Sequence, residues 1–215
     1  MNKTITLLLF FACFILFISS TYLENDQRNF IFSFLNDAPN LPDEPYDYHV
    51  EFPSHLLSDT IEHGYESGEI DTTILDFVED DKSTLGRVLF YDEKLSAMEN
   101  ISCASCNDQK LSFTDGKQFS EGISSLTHRN SMALNDLGWT SKDGFFWDMS
   151  FSELDAMISL PLKDENEVGA VMEDVVVKMN NTDYYPELFF NAYEDTDITE
   201  DRIVESIMHF ISSMT

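Results

Sequence analysis

Two thiols three residues apart, followed by an amide, carry the most chemistry in this chain: Cys103-Ala104-Ser105-Cys106-Asn107. In a C-x-x-C-H motif both thiols add to the vinyl groups of a c-type haem, and the following His places an imidazole nitrogen under the iron. Here Asn107 stands at the ligand position, and an amide oxygen is a poor donor to haem iron beside a neutral imidazole. Two close thiols in an oxidising compartment either carry a cofactor or close on each other as a small disulfide loop. A four-ligand zinc site would need a second Cys pair or an H-x3-H, and neither follows. A thioredoxin-like thiol oxidoreductase would need a βαβ pattern around the pair, which is also missing.

The elements that must position these residues read as helices and loops. Ser102 can cap a short helix that puts Cys103 and Cys106 on one face. Before it, Ser83 or Thr84 can cap a helix carrying Leu85, Val88 and Leu89, and the chain turns at Tyr91-Asp92-Glu93-Lys94. After it come a turn at Phe113-Thr114-Asp115-Gly116 and a polar loop from Ser120 to Arg129 containing Gly122 and His128. The cluster Phe145-Phe146-Trp147-Asp148 reads as core. Ser152 can cap a helix bearing Leu154, Met157 and Ile158, which Pro161 should end or kink. Val168, Val171, Met172, Val175 and Met179 keep a 3.6-residue period. A last helix follows Thr199, with Glu200 and Asp201 in its first turn and Val204, Ile207, Met208 and Ile211 as its apolar stripe. With no run of alternating strands, no internal repeat and no low-complexity segment, the expected class is mainly α with long loops.

Composition bounds the rest. A chain of 215 residues with 43% apolar residues can bury a core. Its 12 basic and 40 acidic residues give a formal charge of -28. That charge repels nucleic acid and anionic membranes and favours basic protein partners or a saline medium. Met1 to Ser20 has the anatomy of a secretory signal: Lys3, an apolar run from Ile5 to Ile18, then Ser19, Ser20 and Thr21 where a peptidase could cut. The run is shorter than the about 18 residues of a spanning helix. Residues 21–80 read as an extended, irregular amino-terminal arm, interrupted by Pro42, Pro45, Pro53, Gly64 and Gly68, and 81–215 as the domain. His49, His55 and His63 lie in the arm without ligand spacing and read as surface or packing residues.

Around the thiols, the runs Leu85-Gly86-Arg87-Val88-Leu89-Phe90-Tyr91-Asp92, Ile101-Ser102-Cys103-Ala104-Ser105-Cys106 and Phe113-Thr114-Asp115-Gly116 resemble the bacterial di-haem cytochrome c peroxidases. The likeness continues through Arg129-Asn130-Ser131, Phe146-Trp147-Asp148, Glu167-Val168-Gly169 and Tyr185-Pro186-Glu187-Leu188-Phe189. The resemblance implies a cytochrome c-like haem domain in an exported, periplasmic enzyme that reduces hydrogen peroxide to water. It also implies electrons from a small cytochrome c or cupredoxin, covalent haem c, a calcium ion between two haem domains, and room for a homodimer. Only the amino-terminal, peroxide-reacting domain is matched, so the chain reads as truncated or degenerate, without a second haem domain.

Position by position, the resemblance makes Cys103 and Cys106 the thioether cysteines and puts Asn107 where the axial His belongs. Glu167 matches a carboxylate that moves a proton during O–O cleavage, Trp147 a tryptophan between the two haems, and Asn130 a calcium-associated asparagine. Met157 and Ser150 depart from the family's glutamine and arginine. His128 is a substitute iron ligand to consider, ahead of Met98 and Met132. The alternative, from another functional class, is a non-catalytic exported binding domain with a Cys103–Cys106 disulfide and no haem.

Overall fold

In a computed structural model, residues 38–42, 45–49, 77–135, 137 and 144–214 are described. The signal at 1–20, most of the arm, and His55 and His63 lie outside them. The chain divides into two compact units, Met1–Glu44 and Pro45–Thr215. Of the first, the described residues 38–42 carry no helix or strand. The second is helical, and among the described residues its only β features are three isolated bridges.

Its frame is α1 (Asp80–Tyr91) packed along α6 (Glu200–Ser212), the most extensive helix pairing in the unit. α1 starts four residues earlier than a Ser83 cap would place it. Glu79 is the N-cap and Asp80 and Asp81 fill the first turn, where acidic side chains favour the helix dipole. Ser83 and Thr84 are therefore interior residues, not caps. On α6 the expected cap holds: Thr199 accepts a hydrogen bond from the Arg202 N–H at 3.3 Å. Leu85 and Leu89 from α1 and Ile203, Val204, Ile207 and Ile211 from α6 are buried. The helices approach so closely at Gly86 that a Cβ there would overlap the Ser206 carbonyl oxygen.

The remaining helices attach to this pair. α5 (Tyr185–Tyr193), a helix not expected from the sequence, begins with Pro186 in its first turn, a favoured place for proline. Asp92, the cap of α1, accepts hydrogen bonds from the Tyr184 and Tyr185 hydroxyls at 2.8 and 2.7 Å. α4 (Met172–Asn180) buries Met172, Val175 and Met179, but the expected stripe fails at its start, where Val168 precedes the helix and Val171 is an exposed N-cap. α3 (Leu154–Lys163) is capped by Glu153 rather than Ser152. Pro161 does not end it: the Asp164 N–H still reaches the Leu160 carbonyl at 2.9 Å, so the helix runs two residues past the proline. The aromatic cluster is not all core, because Phe145 is buried while Trp147 is 69% exposed. Phe146 and Met149 take positive φ, and the Phe145 N–H donates to the Phe151 carbonyl at 2.6 Å. That tight turn throws Trp147 outward.

Part of the arm packs with the helices. The Tyr48 N–H donates to Asp80 Oδ1 at 2.8 Å, and the Arg87 guanidinium lies 4.5 Å from the Tyr46 ring centre. Further along, the Phe77 ring stacks on His209 at 4.0 Å, and the Glu79 N–H donates to His209 Nδ1 at 3.1 Å. His209 is fully buried. Burial pushes its pKa down; Lys82 acts in the same direction, and the nearby Glu79 and Glu205 oppose it.

Two outcomes follow. Gly86→Ala must separate α1 from α6 and should cost about 1–3 kcal/mol, read as a lowered thermal midpoint beside a Val177→Ala surface control, which should not move. The depressed His209 pKa contributes stability that is complete above the unfolded value of about 6.5 and is lost as pH falls from there towards the lower folded value. His209→Gln keeps an acceptor but cannot titrate, so thermal midpoints across this range should fall less steeply with acid than in the wild type. Parallel curves would show that His209 does not set the slope.

Candidate functional site

The thiols sit on a single turn, α2 (Cys103–Cys106). The Ser102 N–H donates to Ser105 Oγ at 3.0 Å and the Ser105 N–H to the Ser102 carbonyl at 3.0 Å. Ser105 Oγ on the Ser102 N–H, together with the Ser102 side chain on the Ser105 N–H, makes a capping box that satisfies the exposed donors of so short a helix. Asn107 ends the turn with both ends of its amide engaged. Nδ2 donates to the Cys103 carbonyl at 2.8 Å, and Oδ1 accepts from Ser131 Oγ at 2.8 Å. Both cysteines are free and half-buried. Burial, then the neighbouring Cys106, pushes the Cys103 thiol up to about 12. Burial, then Asp115 and Glu167, pushes Cys106 to about 11, with Lys117 opposing. At neutral pH both are thiols, not thiolates.

They open onto a cleft of about 150 Å³. Phe90 of α1, Ile207 and Ile211 of α6, and Met157, Ile158 and Leu162 of α3 give it apolar walls. Glu167 enters through a turn folded back on α3: the Gly169 N–H reaches the Asp164 carbonyl at 2.8 Å and the Ala170 N–H the Leu162 carbonyl at 2.7 Å. The turn closes because Gly169 adopts φ 65°, open to glycine at little cost. The loop 120–129 lies against it, with the Ile123 N–H on the Glu167 carbonyl at 2.9 Å. Burial raises the Glu167 pKa and Asp164 adds to the rise, while Arg129 and His128 oppose it. Its carboxyl therefore keeps a proton to higher pH than an exposed glutamate.

Most of the residues singled out in the sequence meet here. Cys103, Cys106, Asn107, Asn130, Trp147, Glu167, Met132 and Met157 all line the cleft. His128 is exposed and does not line it, Met98 is 56% exposed and lies elsewhere, and Ser150 and His49 are exposed. No histidine is among the lining residues. Two residues with no expected role stand out. Ser131 locks Asn107, and Arg129 reaches from the cleft rim to Asp148 at 3.1 Å. Their only sequence signal was membership of the Arg129-Asn130-Ser131 run.

The family model described as di-haem cytochrome c peroxidase matches residues 80–215, from the start of α1 to the end of the chain. The chain belongs to the di-haem cytochrome c peroxidase family. It is 28% identical over 131 residues to the methylamine utilization protein MauG of Methylophilus methylotrophus, covering 60% of this chain and 38% of that one. It is 28% identical over 138 residues to the cytochrome c551 peroxidase of Nitrosomonas europaea, covering 60% and 39%. Among solved structures, a MauG-like protein associated with microbial copper homeostasis superposes with a TM-score of 0.59 at 28% identity, over 64% of this chain and 41% of that one. The chain thus spans about two-fifths of the length of these relatives.

Family membership implies haem c, and the cleft fits it in two respects: two thiols on one face, and largely apolar walls. Asn107 does not fit the role of iron ligand. Its amide nitrogen is a donor, and its oxygen is already bonded to Ser131. Ser131→Ala should strand that oxygen and cost about 1 kcal/mol. The measurements are denaturant unfolding and the alkylation rate of Cys106, which should rise. An unchanged rate would mean that the Asn107 lock does not hold the thiol turn.

Proposed function

We propose that this chain is the peroxide-side domain of an exported, periplasmic di-haem peroxidase-type protein, and that it holds haem c through Cys103 and Cys106. The observation that carries the proposal is the placement of both thiols on the wall of a cleft that also receives Glu167. Bound there, the haem would supply the redox centre for peroxide. Reduction of one hydrogen peroxide to two waters takes two electrons and two protons. The electrons come from a small cytochrome c or cupredoxin, which the family assignment supports. Glu167, held partly dry and inclined to stay protonated, delivers a proton to the departing oxygen as a general acid. Trp147, exposed at the cleft rim, is placed to meet whatever supplies electrons. The charge of -28 favours a basic donor. Asn130 beside the cleft is where calcium would belong on the family pattern, with a homodimer as the assembly.

Asn107 weakens this activity in the chain as it stands. A second reading rests on that residue: an exported, non-catalytic binding domain in which Cys103 and Cys106 close as a disulfide. One preparation separates the two. The chain and its Asn107→His variant are produced with cytochrome c maturation factors and read by intact mass and visible absorbance. The expected result is little covalent haem in the wild type and close to one equivalent in Asn107→His. Full attachment in the wild type, with the spectrum of a strong-field ligand, would overturn the role given to Asn107. Haem in neither, with a mass lower by the two hydrogens of a disulfide, would overturn the haem reading in favour of the second.

A further inference from the structure

The donor atoms of the cleft suit something other than haem when the thiols are free. Among the described residues no group of three His, Cys, Asp or Glu side chains converges. That leaves no built site for zinc, which takes four ligands, or for calcium, which takes six to eight oxygens. What the cleft does offer is sulfur. Cys103 and Cys106 occupy one face of the single turn α2, and the thioethers of Met157 and Met132 line the same walls, with no histidine among them. Met132 Sδ already accepts the Phe146 N–H at 3.3 Å, which leaves Met157 as the freer of the two. Soft thiolate and thioether donors select Cu(I) over harder ions, and a monovalent d10 ion is content with two or three such ligands.

We propose that the thiol form of this chain binds one soft monovalent d10 cation, of the Cu(I) class, between Cys103 and Cys106, with Met157 of the same cleft supplying a thioether. Each thiol gives up a proton as its sulfur–metal bond forms, so one ion enters, two protons leave, and no electron moves. The site then carries a single net negative charge. Lys117 favours that charge at Cys106, against the opposing Asp115 and Glu167, so the ion has to be held chiefly by the sulfur–metal bonds. Asn107 holds the turn closed from below through the Cys103 carbonyl, so the sulfur pair is arranged without a metal. The ion and covalent haem would use the same sulfurs and exclude one another. The proposal therefore does not rest on the haem reading and survives its failure.

The test uses the whole chain, made without maturation factors, kept reduced and anaerobic, and titrated with Cu(I) against a chromophoric Cu(I) chelator. One equivalent should be withdrawn from the chelator by the wild type and none by Cys103→Ser/Cys106→Ser, whose circular dichroism should match the wild type. Met157→Leu should weaken binding severalfold with the stoichiometry unchanged. Both thiols are protonated at neutral pH, so the apparent affinity should rise by about a hundredfold per pH unit, two protons per ion. Zn(II) in excess should not compete. Equal binding by the double serine variant, a slope of one proton or none, or full competition by Zn(II) would each overturn the proposal. Should the double variant unfold, Cys103→Ser and Cys106→Ser are used singly, and each must lose the two-proton slope.

Discussion

The close approach of α1 and α6 at Gly86 is the constraint the rest of the unit depends on. With no side chain at that position the Ser206 backbone can sit against α1, and the leucines of one helix reach the isoleucines of the other. Ser206 completes the contact by spending its hydroxyl within its own neighbourhood, on the Arg202 carbonyl at 2.8 Å and on the Tyr193 hydroxyl at 3.0 Å. No polar atom of that side chain is left facing the leucines without a partner, which would otherwise cost about 1–3 kcal/mol. The same two helices then reach the cleft, α1 through Phe90 and α6 through Ile207 and Ile211. A site that looks like the property of one cysteine turn is in fact walled by a helix crossing far from it in sequence.

The opposite side of the cleft is made differently. There the chain is mostly loop, held by backbone hydrogen bonds rather than by interlocking side chains. Gly122 lets the loop 120–129 come so near the 164–170 turn that a Cβ would overlap the Asn166 carbonyl oxygen. Ser120 and Thr127 then close the loop on itself, the Thr127 N–H donating to the Ser120 carbonyl at 2.9 Å. Glu167 is carried on the turn that this loop braces. Its position, and the partial burial that raises its pKa, depend on two glycines and a ladder of main-chain bonds, so neither can be changed without disturbing the other.

Local rules made much of this legible. The cysteine turn, its serine cap and the stripe of α1 follow from spacing within a few residues and formed, while α4 and α6 formed with stripes shifted from the expected one, Val171 being exposed and Met208 only half-buried. Where the sequence was a poor guide, the deciding partner lay far away or two local signals competed. Acidic residues ahead of Ser83 moved the start of α1. α5 buries Tyr185, Leu188 and Phe189 at helical spacing, but the stripe is too short to read alone, and Asp92, about 90 residues earlier, supplies the hydrogen bonds that hold its first tyrosines. The aromatic run at 145–148 could not reveal which ring faces inward, since that is set by positive φ at Phe146 and Met149. His209 carried no motif at all; only its stacking on Phe77 and its bond from Glu79 give it a task.

Asn107 is the residue whose meaning the structure changes most. In the sequence it is an omission, the place where a ligand should be. In the fold it is an occupied hydrogen-bonding position that joins the end of α2 to Ser131, 24 residues on. A histidine at this position would have one ring nitrogen to spend on the Cys103 carbonyl and the other to turn towards the cleft. The asparagine spends both ends of its amide on the protein. The side chain therefore supports the turn whether or not anything lies in the cleft, and it does so with two hydrogen bonds worth about 0.5–1.5 kcal/mol each. Losing the metal-facing nitrogen removes the reason for iron to stay centred over this turn, but not the reason for the two sulfurs to remain side by side. The cysteine turn thus keeps its shape through Asn107 and Ser131, within a fold that keeps the shape of its family.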